Sequence, residues 1–483
     1  MINRIFVLFL GNLLAKLLGV LREIVFAALY GTSIVAGTFR LALGLVLMPI
    51  QFLTSDILNS VFIPLYKRLK NSGNGEENEL FSLFLLMFSF FSILIFLFTF
   101  IFSGWIVNFA APGISDDARN LAVSFLKVMS FSVPFYILSA LYANLAFAND
   151  RVLLMSVRPI FQSISLVSGC LLSYFFNDVY YLAYSFSLFY FFLFIISYLY
   201  VNEYVHLKFV FSLKYDVFNE FWERLKPLLP LPFFLQGNLV VERIISSYFG
   251  AEYIASVDYA RFIIETGIAL IAIPVGYVGL SVYAGLCINQ LKLKLRKTIF
   301  WVVFYTVPMS IYLLLYSDQI ISFIYARGGF DKESIEYTSA VLEGMSVGFW
   351  AQVVSYIFIK SLNAIFKNKI VLYFMVIALL LNAVFNFAFY DFFGYRTVGI
   401  GVSVYSFSLV LFCLFYFNYW RVFSLSFLAA FPLILICLLT FMLFDSFYFS
   451  TFFLFFFVFM YSFLFKDFRF YLFLFLKKVR RGE

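Results

Sequence analysis

Histidine, cysteine and charged residues are scarce in this chain, and each shortage excludes a class of function. A single histidine, His206, occurs in 483 residues, so a metal site built from several histidines is excluded. Charged residues make up 12% of the sequence, about half the share of an ordinary soluble domain. No G-x4-G-K-S/T pattern occurs, so we do not expect the chain itself to hydrolyse ATP. The four cysteines lie in apolar stretches without metal-site spacing, and we predict core residues without a redox role: Cys170, Cys287, Cys413 and Cys437.

Hydrophobic residues are abundant instead. They make up 64% of the chain and include 72 phenylalanines, more than one soluble core would use. Since a helix needs about 20 apolar residues to cross a bilayer, hydropathy predicts an all-α polytopic membrane protein with about 14 transmembrane helices. Lys16 and Arg22 interrupt the first span and no small-x-small cleavage pattern follows, so we expect a retained span rather than a signal peptide. The predicted spans are 3–30, 33–64, 80–110, 119–147, 152–177, 179–202, 227–249, 253–288, 298–317, 335–366, 370–390, 397–419, 423–444 and 447–465.

The loop charges predict the orientation of these spans. With the N-terminus in the cytoplasm, basic clusters at 67–70, 208–226, 292–297 and 477–481 all fall on the cytoplasmic side. The excess of Lys and Arg on one side follows the positive-inside rule and predicts that both termini are cytoplasmic. The external loops then hold only Arg119, Arg327, Lys332 and Arg396.

An internal repeat divides the chain. Segments 109–135 and 325–349 are similar at one constant offset, which aligns Gly113 with Gly329. The repeat spacing is even in spans, so the copies are parallel, as in transporters that work by alternating access. We therefore predict two six-helix pseudo-symmetric lobes plus two C-terminal helices: an N-lobe 1–205, a C-lobe 206–420, and 421–483 with the last two spans and the basic tail.

Ionisable residues concentrate in the first hairpin of each predicted lobe. A cation in hydrocarbon costs roughly 2.5–3.5 kcal/mol or more, so such residues normally face a protein interior or a wet chamber. We expect the two hairpins to face each other and to share such a chamber. Their ionisable residues are Lys16, Arg22, Glu23, Arg40, Asp56, Glu242, Arg243, Asp258, Arg261 and Glu265.

The cations in this set favour an anionic guest. The planar guanidinium of arginine hydrogen-bonds two oxygens at once, which suits a phosphate or diphosphate. The acids would keep the empty chamber from being strongly cationic and would compete with substrate for the arginines. Structural ion pairs are the alternative, and for Glu242–Arg243 and Arg261–Glu265 that alternative has even weight. The candidate substrate-binding residues are Lys16, Arg22, Glu23, Arg40, Asp56, Arg243, Asp258, Arg261 and Glu265.

Several short runs resemble the MurJ/MviN family of the multidrug/oligosaccharidyl-lipid/polysaccharide exporter superfamily. LGVLRE at 18–23, LYG at 29–31 and FIP at 62–64 are similar to its opening. APG at 111–113 is similar to its external A-P-G motif, and YARGGFD at 325–331 to its R-G-x-F motif.

The resemblance implies a lipid II flippase of peptidoglycan and cell wall biogenesis in the bacterial cytoplasmic (inner) membrane. Such a protein moves the undecaprenyl-diphosphate-linked disaccharide-pentapeptide from the inner to the outer leaflet. The resemblance also implies that arginines of spans 1, 7 and 8 bind the diphosphate and that spans 13 and 14 form a groove for the polyprenyl tail. Gly37 and Phe262 stand where the family has an acidic residue and an arginine, which leaves an O-antigen or capsule repeat unit open as the substrate.

Two other classes of function are open at this point. A cation-coupled drug antiporter of the same superfamily would favour acids over the basic excess of Lys16, Arg22 and Arg40. A membrane enzyme would need a large external loop or a nucleophile constellation, and the external loops predicted here are short. We therefore expect a transporter and not an enzyme: a monomer that binds a lipid-linked glycan and membrane lipids, binds no nucleic acid, holds no cofactor, and uses the membrane potential or a coupling monovalent cation.

Overall fold

The computed structural model of this chain describes residues 2–54, 58–72, 75–204, 218–219, 222–223, 226, 231–283, 286–365, 367–443, 446–465 and 469. The candidate Asp56, the single histidine His206 and the basic tail at 477–481 lie outside the described residues.

The described residues form helices and no strands. A π-helical turn, Leu58–Phe62, precedes the third helix, and a 3₁₀ turn, Gly394–Arg396, precedes the seventeenth. The helices in chain order are α1 (Ile2–Tyr30), α2 (Ile34–Thr54), α3 (Ile63–Ser72), α4 (Glu76–Ile101), α5 (Ser103–Ala110), α6 (Asp116–Ser130), α7 (Ser132–Ala148), α8 (Leu153–Phe176), α9 (Tyr181–Tyr204), α10 (Leu231–Ser247), α11 (Ala251–Tyr283), α12 (Ile288–Leu315), α13 (Ser317–Tyr325), α14 (Lys332–Val347), α15 (Phe349–Ala364), α16 (Asn368–Phe393), α17 (Thr397–Phe417), α18 (Trp420–Leu443) and α19 (Phe447–Ser462).

These helices confirm the predicted fold class, an all-α polytopic membrane protein. Within the described residues, eight are long and apolar enough to cross a membrane, or ten if each of two bent pairs forms one span. Large apolar side chains face outward on them, with Phe175 72% exposed and Phe392 80% exposed. Outward phenylalanine is costly in water and favourable in lipid, so these faces contact the bilayer. The figure of 14 spans stays a prediction, although each predicted span contains helix.

Two helix pairs are sharply bent. Helices α6 and α7 meet at 42°, and α14 and α15 at 51°. Pro134 lies in the first turn of α7, where it has no N–H to donate to the carbonyl of Ser130, so the preceding helix ends there. The second bend is at Gly348, where a Cβ would lie only 2.5 Å from the Cα of Ser403. The N–H of Trp350, freed by this bend, donates to Ser310 Oγ at 2.9 Å. The bends fall within one residue of equivalent positions in the predicted repeat.

The chain divides into two compact units. Unit 1 comprises Met1–Tyr259 and Ile324–Thr338, and unit 2 comprises Ala260–Phe323 and Ser339–Glu483. The boundaries fall inside α11, between α13 residues 323 and 324, and inside α14. The sequence repeat instead predicts lobes at 1–205 and 206–420, and these lobes stay a prediction.

Within unit 1, the loop between α13 and α14 packs backbone to backbone on the end of α1. Gly328 and Gly31 both adopt positive φ, +60° and +53°, which side chains with a Cβ rarely adopt. A Cβ on Gly328 would overlap the carbonyl oxygen of Ala28, which accepts a 2.7 Å hydrogen bond from Gly329 N. Beside it, Thr32 Oγ1 and Ser334 Oγ are 2.7 Å apart. The glycines of the R-G-G-F run therefore allow two backbones to approach within hydrogen-bonding distance.

The crowding at Gly328 predicts a stability difference between two glycine substitutions. Gly75 also has a positive φ, +76°, with ψ 4° in the left-handed region, but a Cβ added there would have no other atom within 4 Å, so Gly75→Ala costs only the backbone strain of about 1 kcal/mol. Gly328→Ala adds a clash with backbone, and we expect it to cost at least about 2 kcal/mol. Thermal unfolding midpoints of both variants in the same detergent measure the difference. Equal midpoints would contradict the close approach.

Candidate functional site

Three charged side chains of the first hairpin are in direct contact. Glu23 on α1 accepts hydrogen bonds from Arg22 Nη2 at 2.7 Å and Nε at 3.0 Å, both to Oε1. Its other oxygen, Oε2, accepts from Arg40 Nη2 on α2 at 2.5 Å. One carboxylate therefore joins two guanidinium groups, and the pairs bridge the two helices. Glu23 and Arg40 are buried, whereas the side chain of Arg22 is 19% exposed.

Arg40 lies between two aromatic rings. Its guanidinium carbon is 4.1 Å from the ring centroid of Tyr259 and 4.9 Å from that of Phe26. A cation over an aromatic face is stabilised by the negative face of the ring, more strongly when both are desolvated. Glu23 and the two rings thus compensate for the burial of this cation, which would otherwise be prohibitive in hydrocarbon.

A second ion pair lies in the same unit. Arg243 on α10 donates from Nη2 to both carboxylate oxygens of Asp258 on α11, at 2.8 Å each. The side chains are 14% and 16% exposed, so this pair is only partly buried. The guanidinium also borders α2, since a Cβ on Gly44 would lie 3.5 Å from Nη2. Asp258 directly precedes Tyr259, whose ring lies over the Arg40 guanidinium, so the second pair lies beside the first.

The result is one charged network on four helices of unit 1. It alternates in sign along Arg22, Glu23, Arg40, Asp258 and Arg243, with three cations and two carboxylates. The carboxylates leave one positive charge uncompensated within the network. Donor capacity also remains, because Arg243 Nη1 has no hydrogen-bond partner among the described residues. Such a set can accept a multivalent oxyanion by exchanging carboxylate oxygens for oxygens of the guest.

The network does not include the other four predicted site residues. Lys16 is exposed on α1, one turn and a half before Arg22, and forms no ion pair with the residues the structure describes. Arg261 is half-buried and Glu265 exposed on α11, and both belong to unit 2. Asp56 lies outside the described residues. The structure therefore brings together five of the nine candidates.

Glu242 and Arg243, predicted as an alternative ion pair, contact other residues in the structure. Glu242 is buried and accepts a hydrogen bond from Asn238 Nδ2 at 2.5 Å. Arg243, its neighbour in the chain, extends from the next position around the helix and contacts Asp258 instead. No three His, Cys, Asp or Glu side chains among the described residues are grouped as a metal site.

Three uncharged polar residues on the same helices are absent from the predicted candidates. Tyr259 follows Asp258 and stacks on Arg40, and its hydroxyl donates to the carbonyl of Gly31 at 2.9 Å. Gln236 on α10 donates to Gln51 on α2 at 2.9 Å. The sequence does show these uncharged polar residues within apolar spans, but the predicted candidates are all ionisable residues.

Known proteins share both the sequence pattern and the fold. The sequence model of the family described as Lipid II flippase MurJ matches residues 26–466. A probable lipid II flippase MurJ of Buchnera aphidicola subsp. Acyrthosiphon pisum is 24% identical over 418 residues, covering 82% of this chain and 79% of the relative. A probable lipid II flippase MurJ of Rhizobium tropici is 26% identical over 377 residues, covering 72% and 67%.

Solved structures share the fold. The inward closed conformation of a lipid II flippase MurJ superposes with a TM-score of 0.84 at 20% identity, covering 95% of this chain and 98% of that one. An inward-facing multidrug resistance MATE transporter of the MOP superfamily gives 0.67 at 13% identity, covering 85% and 95%. The family model matches nearly the whole chain, including most of the helices that carry the charged network. This chain therefore belongs to the lipid II flippase MurJ family.

Proposed function

We propose that this chain is a flippase that moves lipid II from the inner to the outer leaflet of the bacterial cytoplasmic membrane by alternating access. The observation that carries the proposal is the network of three arginines and two carboxylates on membrane helices. Family membership supports lipid II as the substrate. The protein works as a monomer with both termini in the cytoplasm, and its substrate is carried on undecaprenyl diphosphate.

The exposure of each arginine supports a division of roles. Arg22 and Arg243 are the more exposed cations, and they contact the diphosphate oxygens. Arg40, 9% exposed and enclosed by Phe26 and Tyr259, is a positioning residue that holds Glu23 between α1 and α2. This assignment differs from the sequence-based expectation that Arg40 binds substrate directly.

The carboxylates act as internal substitutes for the substrate. In the empty site Glu23 and Asp258 hold the guanidinium groups in place and neutralise two of three charges. A diphosphate brings more oxygens and more negative charge than one carboxylate, so it displaces them from Arg22 and Arg243. When the substrate leaves, the carboxylates return to the arginines and so assist release.

Removal of the Arg22 guanidinium tests the site. We expect Arg22→Ala to lower lipid II transfer in reconstituted vesicles at least about tenfold, because a charge-assisted contact to the diphosphate is lost. Arg119→Ala is the matched control, since Arg119 forms an exposed ion pair with Asp116 at 2.7 Å and such pairs contribute little. Full transfer by Arg22→Ala at wild-type membrane levels would remove this residue from the site. A lipid-linked repeat unit transported in preference to lipid II would change the substrate and leave the site intact.

Neutralising a carboxylate has the opposite effect on binding. Glu23→Gln keeps the shape of the side chain and raises the net charge of the network by one, so a short-chain polyprenyl diphosphate should bind several-fold more tightly. Transfer should slow, because no carboxylate replaces the departing substrate at Arg22. Asp258→Asn tests the same idea independently if the Glu23 variant does not fold, and Asp116→Asn is the control. Unchanged binding in both network variants would refute the substitute role.

The excess positive charge also predicts a response to voltage. Moving one charge across the membrane against 100 mV changes the free energy by about 2.3 kcal/mol. We therefore propose that the membrane potential, or a coupling monovalent cation, drives transport. Valinomycin with a potassium gradient in vesicles should change the transfer rate several-fold, and dissipating only the pH gradient should not. A rate independent of the imposed potential would exclude this coupling.

A further inference from the structure

A cavity of about 490 Å³ lies in unit 2, and no residue of the charged network lines it. Helices α12 and α18 form its walls, and Phe465, just beyond α19, closes one side. Its mouth is apolar and exposed, since Leu293 is 73% exposed and Leu425 43% exposed. The cavity therefore opens to the surroundings of the protein and is large enough for part of a small amphiphile.

The lining of this cavity changes character along α12. Arg296 and Lys297 line one end, and Phe300 and Trp301 lie four residues further on the same two faces of the helix. A rise of 1.5 Å per residue separates the cationic turn from the aromatic turn by roughly 6 Å. None of the described lining residues is acidic. A ligand that fits must carry negative charge at one end and hydrocarbon immediately beside it.

The aromatic side of the cavity is preformed. The ring of Phe465 lies 5.3 Å from that of Trp301 and 5.2 Å from that of Phe304, edge to face in both cases. Phe304 is fully buried against Ala430 and Leu433 of α18. A rigid wall of this kind needs no ordering when a ligand arrives, which favours binding.

We infer that this cavity binds an anionic phospholipid of the surrounding bilayer. The phosphate contacts Arg296 and Lys297, and the glycerol and upper acyl chain lie on Phe300, Trp301 and Phe465. The order of charge and hydrocarbon along the cavity matches the boundary between headgroup and acyl chain in a leaflet. Basic pockets between membrane helices on the cytoplasmic side select anionic headgroups, and the basic run at 292–297 predicts that this end of α12 is cytoplasmic.

Quenching of Trp301 fluorescence tests the inference directly. A variant of the full chain that keeps Trp301 as its only tryptophan, through Trp105→Phe, Trp222→Phe, Trp350→Phe and Trp420→Phe, is reconstituted in vesicles. Brominated phosphatidylglycerol or brominated phosphatidylcholine is then titrated at equal mole fractions. Because each of two cations favours an anionic lipid by about fivefold, half-maximal quenching by phosphatidylglycerol should need roughly one twenty-fifth of the mole fraction.

Charge-removing variants separate this site from general surface attraction. Arg296→Gln with Lys297→Gln should make the two lipids quench equally. Lys292→Gln with Lys294→Gln removes the same charge from the same helix end, outside the cavity lining, and should keep the preference. Equal quenching by both lipids in the starting chain, or an equal loss of preference in both double variants, would overturn the inference. Displacement of brominated phosphatidylglycerol by undecaprenyl phosphate at a far lower mole fraction would also overturn it and would assign the cavity to the path of the polyprenyl substrate.

Discussion

The burial of Arg40 is the constraint on which the described structure of unit 1 depends. A guanidinium among membrane helices must meet a carboxylate, hydrogen-bond acceptors or aromatic faces, because hydrocarbon offers none. Glu23 supplies the carboxylate from α1, and Tyr259 supplies a ring from α11. The same tyrosine donates to the carbonyl of Gly31, at the turn between α1 and α2. One buried cation thereby fixes the first hairpin against the start of α11.

This constraint extends to the loop that carries the R-G-G-F run. The ring of Tyr259 contacts the rings of Tyr325 and Phe330, at 4.9 and 5.4 Å between centroids. The glycines between those two aromatics allow the loop backbone to reach the end of α1. A rearrangement of the ion pairs at Glu23 would therefore act on Tyr259 and on this backbone contact together. The network and the loop are mechanically linked through one aromatic side chain, which is the arrangement a transporter needs if substrate binding is to open or close one end.

The charge balance of this network supports the proposed substrate-binding role over a purely structural one. Ion pairs that only hold helices together would be expected to neutralise each other, since an unpaired buried charge is strongly destabilising. Here three arginines share two carboxylates, and the two arginines with partial exposure lie at the ends of the series. The cationic cavity on α12 uses the same chemistry in a simpler form, with Arg296 and Lys297 beside aromatic rings and no acid among the described lining residues. In both proposed sites, cations lie where the negative charge of a lipid phosphate would compensate them.

The sequence alone determined the class of fold, the family resemblance and most of the charged residues that matter. Apolar length and the cost of charge in lipid are properties of composition, so they can be recognised without coordinates. The partners of those charges were decided only by tertiary structure. Asp258 lies three residues before Arg261, a spacing that favours a pair within α11, yet it binds Arg243 on the preceding helix. Arg40 and Glu23 are 17 residues apart and meet because a turn at a left-handed glycine brings α2 back beside α1. Spacing along one helix is fixed by its geometry, whereas contact between helices depends on how the whole chain packs, which no local pattern specifies.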